Sequence, residues 1–429
     1  MSEGSCLVPR EVAVTRPRWT ILIVSAGGAL ETFDFVIYGF FAQDIGRAFF
    51  PVTSHASAMA LSFAVFAIGH LSRPLGGMLF GHLGDRHGRR GVFAASAMIA
   101  AVATLAIGLL PDYASWGVAA PALLLALRLI QGVCVGGEIS GSVVYAVEST
   151  RRHRGLLCGG VFFAVNVALL FAASINLYVQ SVLGAEQIAT YGWRAGFLIG
   201  GAIGLASFIL RRRLSETQAF AQSVHTRPRK PLAEVFHHHL KSLVVAIAAT
   251  TVVGAANGLF VAYAPAFLRS LGYPRVQIAT AQIVYVIVIA FCMLGTAALS
   301  DEVPRRYVFR TGTVLSALFA PWFFITVTGT HSNLFAAFAL AAVVTSFANG
   351  TYACVMAELF PIEVRYAGVG IALNVSLAAT MGGAPLFATL LVSATHWAPA
   401  PALVQISCAA IAFAASFAML PHRDGHAAR

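Results

Sequence analysis

Gly81-His82-Leu83-Gly84-Asp85-Arg86-His87-Gly88-Arg89-Arg90 is a short basic stretch between two long apolar runs. Residues 57–81 before it carry a single charged side chain, Arg73, and residues 91–111 after it carry none. A helix needs ~20 mostly apolar residues to cross a bilayer, so the decapeptide reads as a turn at a membrane surface. Working outward, the pattern recurs along the chain. Spans are expected near 20–42, 57–81, 91–111, 119–148, 156–183, 193–210, 241–267, 277–299, 307–328, 334–357, 367–393 and 400–420. The whole chain of 429 residues is 58% hydrophobic and only 10% charged, with mean hydropathy +0.79. A soluble domain is about a quarter charged, so the bilayer is the expected solvent.

Charge placement excludes other classes. The net charge of +11 lies in short loops and not on one face or helix, so no nucleic-acid partner is expected. The first apolar run carries Glu31 and Asp34, which a cleavable signal segment would not. No nucleophile–base set or nucleotide loop is apparent, so an enzyme is not expected and no cofactor is implied. The run His237-His238-His239 has no further ligands near it in sequence, and the six cysteines read as small buried hydrophobes.

Lysine and arginine set the orientation. All but six of the 28 fall on alternate loops, from Arg10, Arg16 and Arg18 through Arg86, Arg89 and Arg90 to Arg423 and Arg429. Only Arg47, Arg194, Arg269 and Arg275 fall on the opposite side, while Arg73 and Arg128 lie inside spans. Both termini are therefore expected in the cytoplasm, with an even number of spans. The expected divisions are a tail at 1–18, a first six-helix bundle at 19–210, a central loop at 211–240, a second bundle at 241–420 and a tail at 421–429. The halves echo each other. Asp85 and Asp301 are 216 residues apart, and Glu148 and Glu358 are 210 apart. Two features at nearly one offset argue for a duplicated six-helix unit.

The stretch Gly81–Arg90 resembles the signature of the major facilitator superfamily, G-x-x-x-D-R-x-G-R-R. Further stretches resemble its metabolite:proton symporter family: Glu31-Thr32-Phe33-Asp34, Arg73-Pro74-Leu75-Gly76-Gly77, Arg128-Leu129-Ile130-Gln131-Gly132 with Gly136-Gly137-Glu138, Gly192-Trp193-Arg194, Arg211 to Thr217, and Phe360-Pro361 with Arg365-Tyr366. The resemblance covers essentially the whole chain. It implies an all-α fold of twelve transmembrane helices in two pseudo-symmetric bundles. It also implies proton-coupled uptake of a small metabolite across a bacterial inner membrane. That family carries citrate, tricarballylate, 2-oxoglutarate, shikimate, proline and betaine. There are departures. Glu302 and Pro304 stand where the second signature expects a basic residue and a glycine, which puts an equivalent second gate in doubt. Thr32 in place of a tryptophan, together with Leu61 to Phe66, leans towards a tricarboxylate. The tail after Leu420 is short, and osmosensing relatives carry a long coiled-coil one.

Charges inside spans are costly, ~3 kcal/mol or more at the centre, and mark functional candidates. Glu31 and Asp34 stand at i and i+3, and crowded carboxylates in low dielectric hold a proton more readily. Either the pair couples protons or it is a polar contact between helices. Glu138 is a further acid, with gating and packing equally open. The Arg128 guanidinium suits a carboxylate, so it meets substrate or neutralises the acids. Asn166, Asn257, Tyr263, Asn349, Tyr352 and Asn374 are the neutral groups placed to contact a solute. Arg73, Gly81, Asp85, Arg86, Gly88, Arg89, Arg90, Glu148, Glu358 and Arg365 are the expected cytoplasmic gate, with Asp85 against the positive N-terminus of span eleven. The reading is a secondary transporter for a small organic acid, leaning to citrate. The alternatives are a carrier of proline, betaine or shikimate, or a membrane sensor of the same fold. A drug–proton antiporter is discounted because span five lacks a glycine-proline pair. The expected partners are a small solute, protons and lipid, with the chain working as a monomer.

Overall fold

The computed structural model describes residues 37–50, 71–150, 152–214, 228–329 and 333–419, together with Ala29, Phe33, Leu61, Ser62, Ala64, Val65, Ile68, Gly69, Glu216 and Phe220. Among these residues the regular structure is helical throughout. Lipid offers no partner for backbone N–H and C=O groups, so a spanning chain satisfies them within helices. The helices follow the apolar runs as α1 (Ala42–Phe49, the end of the first run), α2 (Arg73–His87), α3 (Arg89–Leu109), α4 (Ala119–Ser149), α5 (Arg154–Val182) and α6 (Trp193–Arg211). The second half has α7 (Leu240–Ala256), α8 (Arg275–Glu302), α9 (Arg305–Thr328), α10 (Leu334–Glu358), α11 (Arg365–Thr395) and α12 (Pro401–Ser416). Nine helical segments of the described residues are long and apolar enough to cross a bilayer.

Two helix ends differ from expectation. The signature is not a loop. α2 runs on through Asp85 to His87, and Gly88 alone joins it to α3, at φ +113. A Cβ at Gly88 would stand 2.7 Å from a Glu216 carboxylate oxygen as well as straining the backbone. α8 likewise continues to Glu302. Both signature acids therefore ride on the last rigid turn of a helix. Apolar composition marks where lipid ends, but a helix continues past that point when its polar turn is docked.

The first six helices pack together, α3 against α4 and α6, and α2 against α4. In the second half α8 and α9 pack on α10, and α7 on α11 and α12. The bundles meet where α2 faces α11 and where α5 faces α8 and α10. Helices in lipid gain little from apolar burial against each other, so close backbone approach by small residues matters more. Gly77 of α2 and Gly370 of α11 meet main chain to main chain, where a Cβ on either would collide with the other's carbonyl. Leu75 and Leu79 of α2, with Leu71 just before the helix, are exposed apolar side chains. α7 does not end at Ala256 but continues as a π-helical stretch, Asn257–Tyr263, into Ala264–Ser270.

Candidate functional site

The basic end of the molecule, where Arg86, Arg89 and Arg90 gather, holds two matching docks between the bundles. In the first, Asp85 is fully buried against the opening turn of α11. The first N–H groups of a helix have no partner within it and carry partial positive charge. Tyr366 N–H and Ala367 N–H donate to the Asp85 carboxylate at 3.2 and 2.8 Å. Arg89 Nη1 donates to the same carboxylate at 2.9 Å. Its Nε and Nη2 fork onto Glu148 at 2.6 and 2.8 Å, and Nη2 also reaches the Ile362 carbonyl at 2.6 Å. Arg365 Nη1 meets Glu148 at 3.3 Å. Two acids and two arginines, drawn from both bundles, thus sum to zero charge.

The second dock repeats this with the bundles exchanged. Asp301, at the end of α8, accepts from Gly155 N–H and Leu156 N–H at 2.7 and 2.9 Å, in the opening turn of α5. Arg305 bridges Asp301 and Glu358, 2.7 Å to each, and Arg154 lies 3.5 Å from Glu358. Arg305 follows Arg89, and Asp301 follows Asp85, by 216 residues, while Arg365 follows Arg154 by 211. The departures at Glu302 and Pro304 leave this dock intact, contrary to the doubt the sequence raised. Pro304, at φ −53, leads directly into α9 and replaces the turn that Gly88 makes with positive φ. The second dock is wetter: Arg154 and Glu358 are each about a quarter exposed, whereas Arg89 and Glu148 are buried.

Sequence reasoning missed Asp301, Arg305 and Arg154 as members of a dock, although the repeat offset was their signal. It also missed Glu216, which accepts the Arg89 and Arg90 N–H groups at 3.2 and 3.3 Å and so caps α3. Two expected gate residues stand apart from these bonds. Arg86 is exposed. Arg73 precedes Asp85 by twelve residues, ~18 Å along the helix, at the level of Gly136 in the middle of α4. It is therefore far from the basic end of its span, because α2 is longer towards that end than hydropathy implied.

Deeper in the first bundle, Arg128 is fully buried. Its guanidinium lies 4.1 Å over the Tyr38 ring, and Nη1 donates to Gln131 at 2.9 Å, which in turn holds Thr104 at 2.7 Å. Tyr38 is tied to Ser62 at 3.2 Å. Glu31 and Asp34 lie outside the described residues. Glu138 is paired: Arg211 Nη2 donates to it at 3.0 Å. Its second oxygen is buried without a hydrogen-bond partner.

Of the neutral candidates, Asn166, Asn257 and Asn349 each donate their amide to the carbonyl one turn back, at 2.8, 3.0 and 2.9 Å. Each keeps its side-chain carbonyl and a second N–H for other partners. Asn257 opens the π-helical stretch and Tyr263 closes it. Tyr352 of α10 lies 5.4 Å from the Phe162 ring of α5, across the bundle seam. Asn374 differs from expectation. Its amide is committed to the Gly136 and Gly370 carbonyls, 2.8 Å each, so it ties the bundles together in this state. The cause is the Gly77–Gly370 contact, which brings α11 too near the first bundle to leave that amide free.

Two inverted docks thus hold two six-helix bundles together at one end. Residues 19–301 match the family model described as Major Facilitator Superfamily, and residues 230–426 that described as Sugar (and other) transporter. A proline/betaine transporter of Salmonella typhimurium is 30% identical over 94% of this chain and 83% of its own length. A putative proline/betaine transporter of Staphylococcus aureus is 32% identical, covering 94% and 88%. The structure of the proton:xylose symporter XylE, 17% identical, superposes with a TM-score of 0.78 over 94% of this chain and 95% of its own. The chain belongs to the major facilitator superfamily and is a secondary transporter.

Proposed function

We propose that this chain is a proton-coupled symporter that takes up a small zwitterion of the proline or betaine kind through the bacterial inner membrane. The alternating-access part rests on the paired docks. Each seats an aspartate on a helix N-terminus across the bundle seam, so parting the bundles at that end releases both at once. The substrate class draws support from the relatives and from charge. Arg128 supplies one buried cation for a carboxylate. Among the described residues, the second bundle brings only neutral groups to mid depth, chiefly Asn257, Tyr263, Asn349 and Tyr352. Carbonyl oxygens and ring faces suit a quaternary or secondary ammonium. They bring no cation to the second and third charges of a tricarboxylate, so the reading moves from citrate to a zwitterion.

Uptake into proteoliposomes under an imposed proton gradient tests this. Labelled proline or glycine betaine accumulates, citrate does not, and Arg128→Ala weakens the apparent affinity at least ~10-fold, the loss of a charge-assisted contact. Citrate accumulation without zwitterion uptake would reverse the assignment. Uptake of neither, from protein shown to be folded, would favour a sensor. The orientation is tested separately. Reporter fusions after Arg229 and Arg423 read cytoplasmic and one after Thr53 reads external; an external signal at Arg423 contradicts the even span count.

A further inference from the structure

Tyr366, the second residue of α11, is used twice. Its main-chain N–H belongs to the Asp85 dock, but its side chain goes elsewhere. Fully buried, it crosses from the second bundle into the first, and its hydroxyl donates to the Gly137 carbonyl of α4 at 2.8 Å. The ring fits a socket made by missing side chains. A Cβ at Gly84 of α2 would overlap the ring edge, and one at Gly141 of α4 would stand 2.5 Å from the hydroxyl oxygen and 3.0 Å from Cζ. Phe93 of α3 closes a third side, 3.0 Å from that same Gly141 position. Next to Gly137, Glu138 makes its ion pair with Arg211, whose guanidinium lies 4.0 Å over the Phe93 ring.

We propose that the Tyr366 side chain is a plug: a positioning residue that keeps α11 seated in the first bundle and water away from the Glu138–Arg211 pair, separately from the Asp85 bonds. The two contributions are separable because Asp85 binds residue 366 through its backbone. Truncating the side chain leaves that N–H in place. The plug has an energetic reason to stay seated. With the basic end open, the ring and hydroxyl face water; with it closed, an aromatic side chain is buried and one hydrogen bond is made. It also explains why Gly84, within the signature, and Gly141, remote from it, lack side chains: a Cβ at Gly84 takes the place of the ring, and one at Gly141 crowds the hydroxyl.

The inference rests on the alternating-access reading but not on which solute moves, because its test needs no substrate. Purified protein in lipid nanodiscs is treated with N-ethylmaleimide, and alkylation of Cys158 and Cys354 is followed by mass spectrometry. These cysteines lie buried on α5 and α10 at the bundle seam, 1% and 0% exposed. Their labelling rate follows the minor population with the seam open. Tyr366→Ala raises it on the order of 100-fold, as loss of a buried aromatic side chain would, and Tyr366→Phe raises it about 5-fold for the lost hydrogen bond. Gly141→Ala raises it as well, and adding Tyr366→Phe to Gly141→Ala brings it back down, since removing the hydroxyl clears room for the new methyl. Wild-type rates in Tyr366→Ala and Gly141→Ala overturn the proposal. So does a double variant that labels faster than Gly141→Ala alone.

Discussion

Asp85→Asn opens the basic end and cuts uptake at least ~10-fold, while the protein stays folded and inserted. The substitution keeps volume but removes one charge from a buried set of two acids and two arginines. Arg89 loses one of its two carboxylate partners, and the α11 N-terminus loses its anion. Breaking a buried ion pair by removing one partner costs ~3–5 kcal/mol. That cost falls on the closed state, because parting the bundles gives the same groups water. The closed-to-open ratio therefore falls on the order of 100-fold or more. Maleimide labelling of the seam cysteines reports the shift, and solute uptake reports its consequence. Asp301→Asn acts in the same direction, because the ion pair it breaks, with Arg305, is also buried, the two side chains 5% and 4% exposed. Equal labelling of wild type and Asp85→Asn would remove the dock from the gating cycle.

Asp34→Asn abolishes proton-driven accumulation but spares exchange of internal for external solute. The amide stands in for a carboxyl that never gives up its proton, and exchange needs no net proton release. One proton per cycle against a gradient of about 2 pH units sustains up to ~100-fold accumulation, since each unit is worth about 1.4 kcal/mol. In the variant the ratio falls to one. Asp34 precedes Tyr38 by four residues, and the Tyr38 ring is the surface that carries Arg128. Glu31→Gln has the same effect or a smaller one, according to which acid holds the proton. Accumulation by Asp34→Asn under an imposed gradient would transfer the role to Glu138.

Particular residues show how far one sequence reaches. The spans from α3 to α11 were legible because lipid imposes apolar runs of fixed length on any crossing helix. Their ends matched within a few residues, except where α2 and α8 extend through their acids. The 216-residue echo of Asp85 in Asp301 marked the duplication, while the changes at Glu302 and Pro304 argued against an equivalent second gate. Comparing loops residue by residue misjudged a contact made by main-chain N–H groups of another helix, which no side chain in the loop reports.

By itself, then, the sequence determined the solvent, the number of crossings and the duplication. These follow from hydropathy, charge and spacing, which are local properties of the chain. Only the tertiary structure decided the partners: Glu138 with Arg211, Asn374 with Gly136, Glu216 with α3, and Tyr366 in a pocket of glycines. Each joins residues 70 or more positions apart. Such contacts depend on how two helices cross, and the crossing is set by packing summed over both whole surfaces and not by any motif within either one.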